Sequence, residues 1–281
     1  MATFEIGVAS ADDVARMADW AGDEGWNPGN TDAHAFFAND PGAFLIGRLD
    51  GEPVACISVS KYGSGFGFLG FYIARPKVRG KGYGIKVWDA GMARLKGRNV
   101  GLDGVMAQQH NYRKSGFRAA WNNIRHEGPS PGGAPPAGVS LVDARSIAFD
   151  RLAAFDRRFF PEARDSFLAT WISLAERAAM VAVQDGRLVG FAVMRACRAA
   201  SRVGPLFAES PEIAGALVSA LAAKTGATSV AIDVPDRNKA AVRLAEQMGL
   251  KPSFETARMY TGPDPAVEYA GLFGVTSLEL G

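Results

Sequence analysis

Residues 79 to 84 read Arg-Gly-Lys-Gly-Tyr-Gly, a basic and glycine-rich run whose composition suits the holding of an anion. Glycines let the backbone turn tightly and approach a ligand closely, and the N–H groups and dipole of a following helix favour negative charge. Arg79 and Lys81 add positive charge, so the chemistry served is that of a phosphate or pyrophosphate. A second run upstream, Gly65, Gly67 and Gly70, fits the dinucleotide pattern GxGxxG. That pattern binds only where it leaves a strand and opens a helix. Gly70 is followed by Phe-Tyr-Ile-Ala and then Arg75-Pro76, which is a strand composition, so these glycines are expected only to bend the chain between two strands. A Walker loop cannot be placed in residues 79 to 84, which argues against a nucleoside triphosphate.

The elements around the basic run are in the order an anion site requires. Residues 70 to 74 form a strand, 75 to 84 a loop, and 85 to 98 a helix with Ile85, Trp88, Met92 and Leu95 at the spacing of one buried face. This arrangement recurs. The halves overlay at a shift of about 134 residues, a self-similarity that marks a repeated unit. Two strands flank Asp50-Gly51 in the first half and Asp185-Gly186 in the second, the signature of a two-residue hairpin turn. Gly-Phe-Tyr-Ile-Ala at 70 to 74 lies over Gly-Pro-Leu-Phe-Ala at 204 to 208. Each half reads strand, helices, hairpin, strand, helix, strand, helix, strand. Between them, residues 126 to 140 concentrate Pro, Gly and Ser as a linker does.

Bulk properties remove several function classes. The chain has 281 residues, 48% of them hydrophobic, with a net charge of +2, far from the clustered excess of a nucleic-acid binder. Cys56 and Cys197 lie in apolar runs and read as small buried hydrophobes. His34, His110 and His126 have no ligand spacing, so no metal is expected. The start carries no leader pattern and no long apolar run follows, so neither export nor membrane insertion is expected and the cytoplasm is the expected location.

The basic loop after the strand, followed by Tyr112-Arg-Lys-Ser-Gly-Phe117, resembles the GCN5-related N-acetyltransferases (GNAT). The resemblance implies an α/β fold of two tandem domains, residues 1–130 and 138–281, each a mixed and mostly antiparallel sheet flanked by helices. It implies acetyl-CoA as co-substrate and transfer to a small amine or amino-acid-like acceptor in a direct ternary complex. Tyr72, Ile73 and Ala74 match the strand that pairs with pantetheine. Arg79, Gly80, Lys81, Gly82, Tyr83, Gly84 and Ile85 match the pyrophosphate loop. Tyr112 stands where the family places its general acid, and Val105 where relatives often keep an asparagine. The base is open between Glu24, Asp103 and a water chain; Trp26 and Asn27 are further candidates to shape the acceptor pocket. The alternative reading is a tandem module that binds CoA or is structural, without turnover. Oligomeric state is left open.

At the same shift, Arg79, Gly82 and Gly84 fall opposite Ile213, Ala216 and Val218, so the second half reads as a degenerate repeat that supports the first. Ser210 and Pro211 are the expected start of its helix. Residues 269 to 281 resemble a last strand that could be exchanged into the first half.

Overall fold

The computed structural model describes residues 2–281. The first half runs β1 (Phe4–Val8), α1 (Ala11–Asp23), α2 (Asp32–Asn39), β2 (Phe44–Leu49), β3 (Glu52–Tyr62), β4 (Phe66–Ala74), α3 (Tyr83–Arg94), β5 (Asn99–Val105), α4 (Gln109–Lys114) and β6 (Arg118–Pro129). The second repeats it with β7 (Val139–Asp143), α5 (Phe149–Asp156), α6 (Asp165–Ser173), β8 (Arg177–Gln184), β9 (Arg187–Arg195), β10 (Ser201–Ala208), α7 (Pro211–Thr225), β11 (Ser229–Pro235), α8 (Lys239–Gln247) and β12 (Lys251–Tyr260). A short β13 (Leu272–Gly274) follows. Among the described residues no helix is long and apolar enough to cross a membrane.

Local chemistry explains these elements. Ser10 and Asp13 form a capping box that starts α1, and Val14, Met17 and Ala21 then recur on its buried face. Asp50-Gly51 and Asp185-Gly186 all have positive φ, as a type I′ turn demands, so both hairpins close as their sequence implies. Ser210 caps α7 by accepting from the amide of Ile213, with Pro211 at the first turn.

The strands form one mixed, mostly antiparallel sheet, ordered β1-β2-β3-β4-β5-β12-β6-β11-β10-β9-β8-β7. Its centre is an exchange. β12 of the second half pairs with β5 of the first, from Thr256 opposite Val105 to Tyr260 opposite Gly101. In return β6 of the first half pairs with β11, from Pro129 opposite Ser229 to Asn123 opposite Pro235, and β6 and β12 pair with each other. Below the sheet α2 packs on α6, where Phe36 stacks on Trp171 at 5.8 Å.

Four expectations need correction. The exchanged strands are β6 and β12, not the tail: β13 pairs with β10 of its own half. Gly67 and Gly70 lie inside β4, where neighbours leave no room for a side chain: a Cβ on Gly67 would come within 2.8 Å of Leu95, and one on Gly70 would overlap the Glu279 carbonyl. The buried face of α3 is Val87, Trp88 and Gly91, while Ile85 is 53% exposed, because the helix begins at Tyr83 and turns its first residues away from the sheet. Residues 126 to 129 belong to β6 rather than to the linker, with His126 buried against the Ile124 carbonyl.

Candidate active site

β4 and β5 run parallel and paired only from Phe66 opposite Asn99 to Leu69 opposite Leu102. Beyond that point they part. Tyr72, Ile73 and Ala74 keep β3 on one side, where Ile73 lies opposite Cys56 and Ala74 opposite Ala55, while their other edge faces a cavity of ≈ 460 Å³. A bulge drives the separation: the register against β3 shifts between Cys56 and Ser58, and Phe71 within it has φ +46. An extra residue bends a strand and re-aims its edge, and a positive φ in a phenylalanine is tolerated only where surrounding contacts enforce it. Phe71 is buried and its carbonyl accepts from the Cys56 thiol at 3.1 Å.

The glycine loop sits at the end of that open edge. Gly80 and Gly82 have φ of +75 and +82, and nothing lies within 4 Å of where their Cβ atoms would be. The first α-helical bond of α3 runs from the Lys86 amide to Gly82, so the amides from Gly82 to Ile85 have no partner within the helix. Arg79, Gly80, Gly82, Gly84 and Ile85 line the cavity, and Arg79 also donates from Nε to the Ala74 carbonyl at 2.8 Å, tying loop to strand. Lys81 and Tyr83 are outside the lining; the Tyr83 ring packs on Phe4 with centroids 4.7 Å apart. The resulting slot, an unpaired strand edge leading to unpaired amides and a guanidinium, fits a pantetheine arm ending in a pyrophosphate.

Tyr112 reaches the same cavity from α4. Its ring stacks on Trp88 at 5.6 Å, and Gly104 of β5 has no side chain because a Cβ would overlap that ring. Burial pushes the Tyr112 phenol well above its ordinary value, with Tyr72 adding to the shift. Such a phenol keeps its proton and can donate a hydrogen bond.

Both carboxylates considered as bases line the cavity, yet both have partners. Glu24 is paired with Arg79 across the mouth. Asp103 has a fully buried side chain held by two nitrogens of Arg258 from β12 and by Asn123 from β6. A carboxylate engaged in this way has few lone pairs to offer an amine. Trp26 is at the wall, whereas Asn27 is drawn away from it: its amide bonds Ala200 and Ala199, and its own carbonyl accepts from Arg202. Asn27 thus secures the α1–α2 loop to the second half.

The rest of the wall comes from residues with no motif. Phe254 and Thr256 of the exchanged β12 and Leu278 and Glu279 of the tail close the end opposite the loop. The one signal of this in the sequence is Glu279 itself, a lone acid between Leu278 and Leu280.

The second half has no such slot. β10 and β11 part after Val203 and Ile232, as β4 and β5 do, but β13 occupies the gap, with Leu206 opposite Gly274 and Phe207 opposite Leu272. The Val275 amide then bonds the Asp233 carbonyl on the other side. The tail therefore stands where the first half leaves its edge open.

Residues 11–117 match the model of the acetyltransferase (GNAT) family, and residues 152–274 that of the acetyltransferase (GNAT) domain. The chain is 32% identical over 275 residues to holothin acyltransferase from Pseudoalteromonas sp. (strain SANK 73390), a match covering 97% of this chain and 93% of that protein. Its fold is similar to that of a putative acetyltransferase from Pyrococcus horikoshii, with a TM-score of 0.82, 20% identity and coverage of 99% and 96% of the two chains. It is also similar to a tandem GNAT protein from the clavulanic acid biosynthesis pathway, with a TM-score of 0.67, 16% identity and coverage of 93% and 100%.

Proposed function

The chain belongs to the GNAT acetyltransferase family as a tandem acyltransferase, and we propose that it transfers an acetyl group from acetyl-CoA to a small amine. The observation that carries this reading is the parting of β4 from β5 directly above the glycine loop, with Tyr112 beside it. In this reading the catalytic unit is residues 1–130, completed by β12 and the tail, and residues 138–281 are a supporting repeat.

Acetyl-CoA supplies the acyl group in activated form, as a thioester. The edge of Tyr72 to Ala74 binds the pantetheine amides, and the loop from Arg79 to Ile85 binds the pyrophosphate. Arg79 exchanges Glu24 for phosphate as the ligand enters. Tyr112 donates a hydrogen bond to the sulfur and steadies the charge that develops there; its raised pKa suits a donor better than a full proton source. The walls from Phe71, Phe254 and Leu278 exclude water from the reacting end. An acceptor that must share a cavity of ≈ 460 Å³ with the pantetheine end is a compact one.

Calorimetric titration of acetyl-CoA against wild type and Gly82→Trp tests the assignment. Wild type is expected to bind and the variant to fail, since an indole at that position fills the anion site. Release of thiol against a panel of small primary amines together with holothin then identifies acceptors. Wild type ignoring acetyl-CoA, or Gly82→Trp binding it equally well, would sink the reading.

A further inference from the structure

Glu279 is 1% exposed, lines the cavity, and neither of its carboxylate oxygens has a hydrogen-bond partner. Its nearest opposite charge is Arg202, whose Nη1 lies 3.6 Å from Oε1. That guanidinium is committed elsewhere, to the Asp233 carboxylate and the Asn27 carbonyl. Arg202 therefore offsets the charge of Glu279 without satisfying its lone pairs. Buried polar atoms are almost always bonded in folded proteins, so two orphan oxygens on one buried carboxylate call for a donor from outside the chain. A second orphan lies on the same cavity, the Oγ1 of Thr256 on the exchanged strand β12. The cavity that Glu279 and Thr256 line also has apolar walls from Leu69, Phe71, Phe254 and Leu278.

The tail is placed firmly. The Glu279 backbone carbonyl packs against Gly70, where a single Cβ would overlap it, and the Tyr62 hydroxyl donates to the Leu280 carbonyl at 3.0 Å. Arg195 and Arg164 grip Thr276 at 3.0 and 2.9 Å. Glu279 is thus presented to the first half's cavity by a segment that has already filled the strand gap of the second half.

We propose that Glu279 is the catalytic residue that receives the acceptor, binding a small apolar primary ammonium through its carboxylate and taking one proton from it, with Thr256 as a positioning hydroxyl. The proposal rests on the acetyl-transfer reading above and names its acceptor class and base. Glu279 removes one proton from the ammonium, which frees the nitrogen lone pair. The nitrogen forms its bond to the acyl carbon as the carbon–sulfur bond breaks, and that bonding pair leaves on sulfur. The surplus proton on nitrogen passes to the sulfur, and Glu279 returns its own proton to solvent. Amide, thiol and one solvent proton result, with no oxidant or reductant involved.

The test compares wild type, Glu279→Gln, Glu279→Asp and Thr256→Val with acetyl-CoA and n-butylamine, measuring thiol release, acetyl-CoA affinity and thermal unfolding. Glu279→Gln keeps the shape of the side chain and is expected to lower kcat/KM for the amine by about 10²-fold or more while acetyl-CoA affinity stays as in wild type. Glu279→Asp should recover part of the rate, and Thr256→Val should raise KM with little change in kcat. Wild-type rates in a Glu279→Gln protein that binds acetyl-CoA would overturn the proposal and leave the acetyl-transfer reading intact. A Glu279→Gln protein that loses acetyl-CoA affinity and melts early would also overturn it, by assigning Glu279 to the fold. Wild type that binds acetyl-CoA but acetylates no butylamine would overturn the stated acceptor class; wild type that does not bind acetyl-CoA would overturn both readings together.

Discussion

Asp103 of β5 and Arg258 of β12 form a two-pronged ion pair, with Nε donating to Oδ1 at 2.7 Å and Nη2 to Oδ2 at 2.6 Å, across the seam where the halves exchange strands. Both side chains are buried. Removing one partner strands a charge, which typically costs about 3–5 kcal/mol, whereas replacing both with apolar side chains is far milder. Asp103→Asn and Arg258→Met are each expected to lose stability of that order, and Asp103→Leu combined with Arg258→Met to regain most of it. Denaturant unfolding of the three variants measures this. Equal, small losses in the single variants would remove the pair from the forces that join the halves.

Arg79 and Glu24 close over the cavity mouth, and both are accessible to solvent. Charge-assisted bonds from Arg79 to a pyrophosphate are each worth about tenfold in affinity, so Arg79→Ala is expected to weaken acetyl-CoA by about that factor and to flatten its salt dependence. Glu24→Gln is expected to leave kcat unchanged and to tighten acetyl-CoA slightly, because it removes a competitor for Arg79. A collapse of kcat in Glu24→Gln, with acetyl-CoA still bound, would make Glu24 the base in place of Glu279.

Gly104 makes room for the ring of Tyr112. If Tyr112 has the proposed role, Gly104→Ala is expected to tilt the ring and lower kcat by about 10²-fold, as a misplacement of about an ångström can, while acetyl-CoA affinity holds. Tyr112→Phe should resemble it, and the double variant should lose little more, since both changes disable one group. Because burial raises the phenol's pKa, Tyr112 stays protonated through neutral and mildly alkaline pH, so the rate profile should show no falling limb from this group below about pH 10. A limb at lower pH that vanishes in Tyr112→Phe would contradict the raised pKa.

Burial pushes the Asp13 carboxyl up, but bonds from the Ser10 amide and hydroxyl and the pairing with Arg48 outweigh it and hold the carboxyl below its ordinary value. A carboxyl depressed in the folded state contributes stability above its unfolded pKa, near 4, and that contribution is lost as pH falls through the folded value. The stability gap between wild type and Asp13→Asn should therefore be full at neutral pH and close progressively below about pH 4. Unfolding curves across that range check it; a gap independent of pH would assign the effect to the cap geometry alone.

Local and near-local chemistry is legible in the amino-acid sequence. Asp-Gly turns specify both hairpins because their φ values are set by two residues, and the Arg79–Gly84 run can be read as a glycine loop opening a helix because its glycines and the following helix are adjacent in sequence. The same holds for the loss of that loop in the second half and for the Ser210 cap. Strand partners were not legible, because an alternating apolar pattern fixes which face of β6 and β12 is buried but not which strand lies beside it, and only the assembled sheet selects the exchange. The cavity's far wall follows from that choice. Phe254 and Thr256 arrive with β12, and Glu279 with a tail anchored in the other half, more than 200 residues along the chain from the Gly70 it packs against. Sequence by itself determined the ends of the site that are built from consecutive residues; tertiary structure alone decided which distant carboxylate is left without a partner beside them.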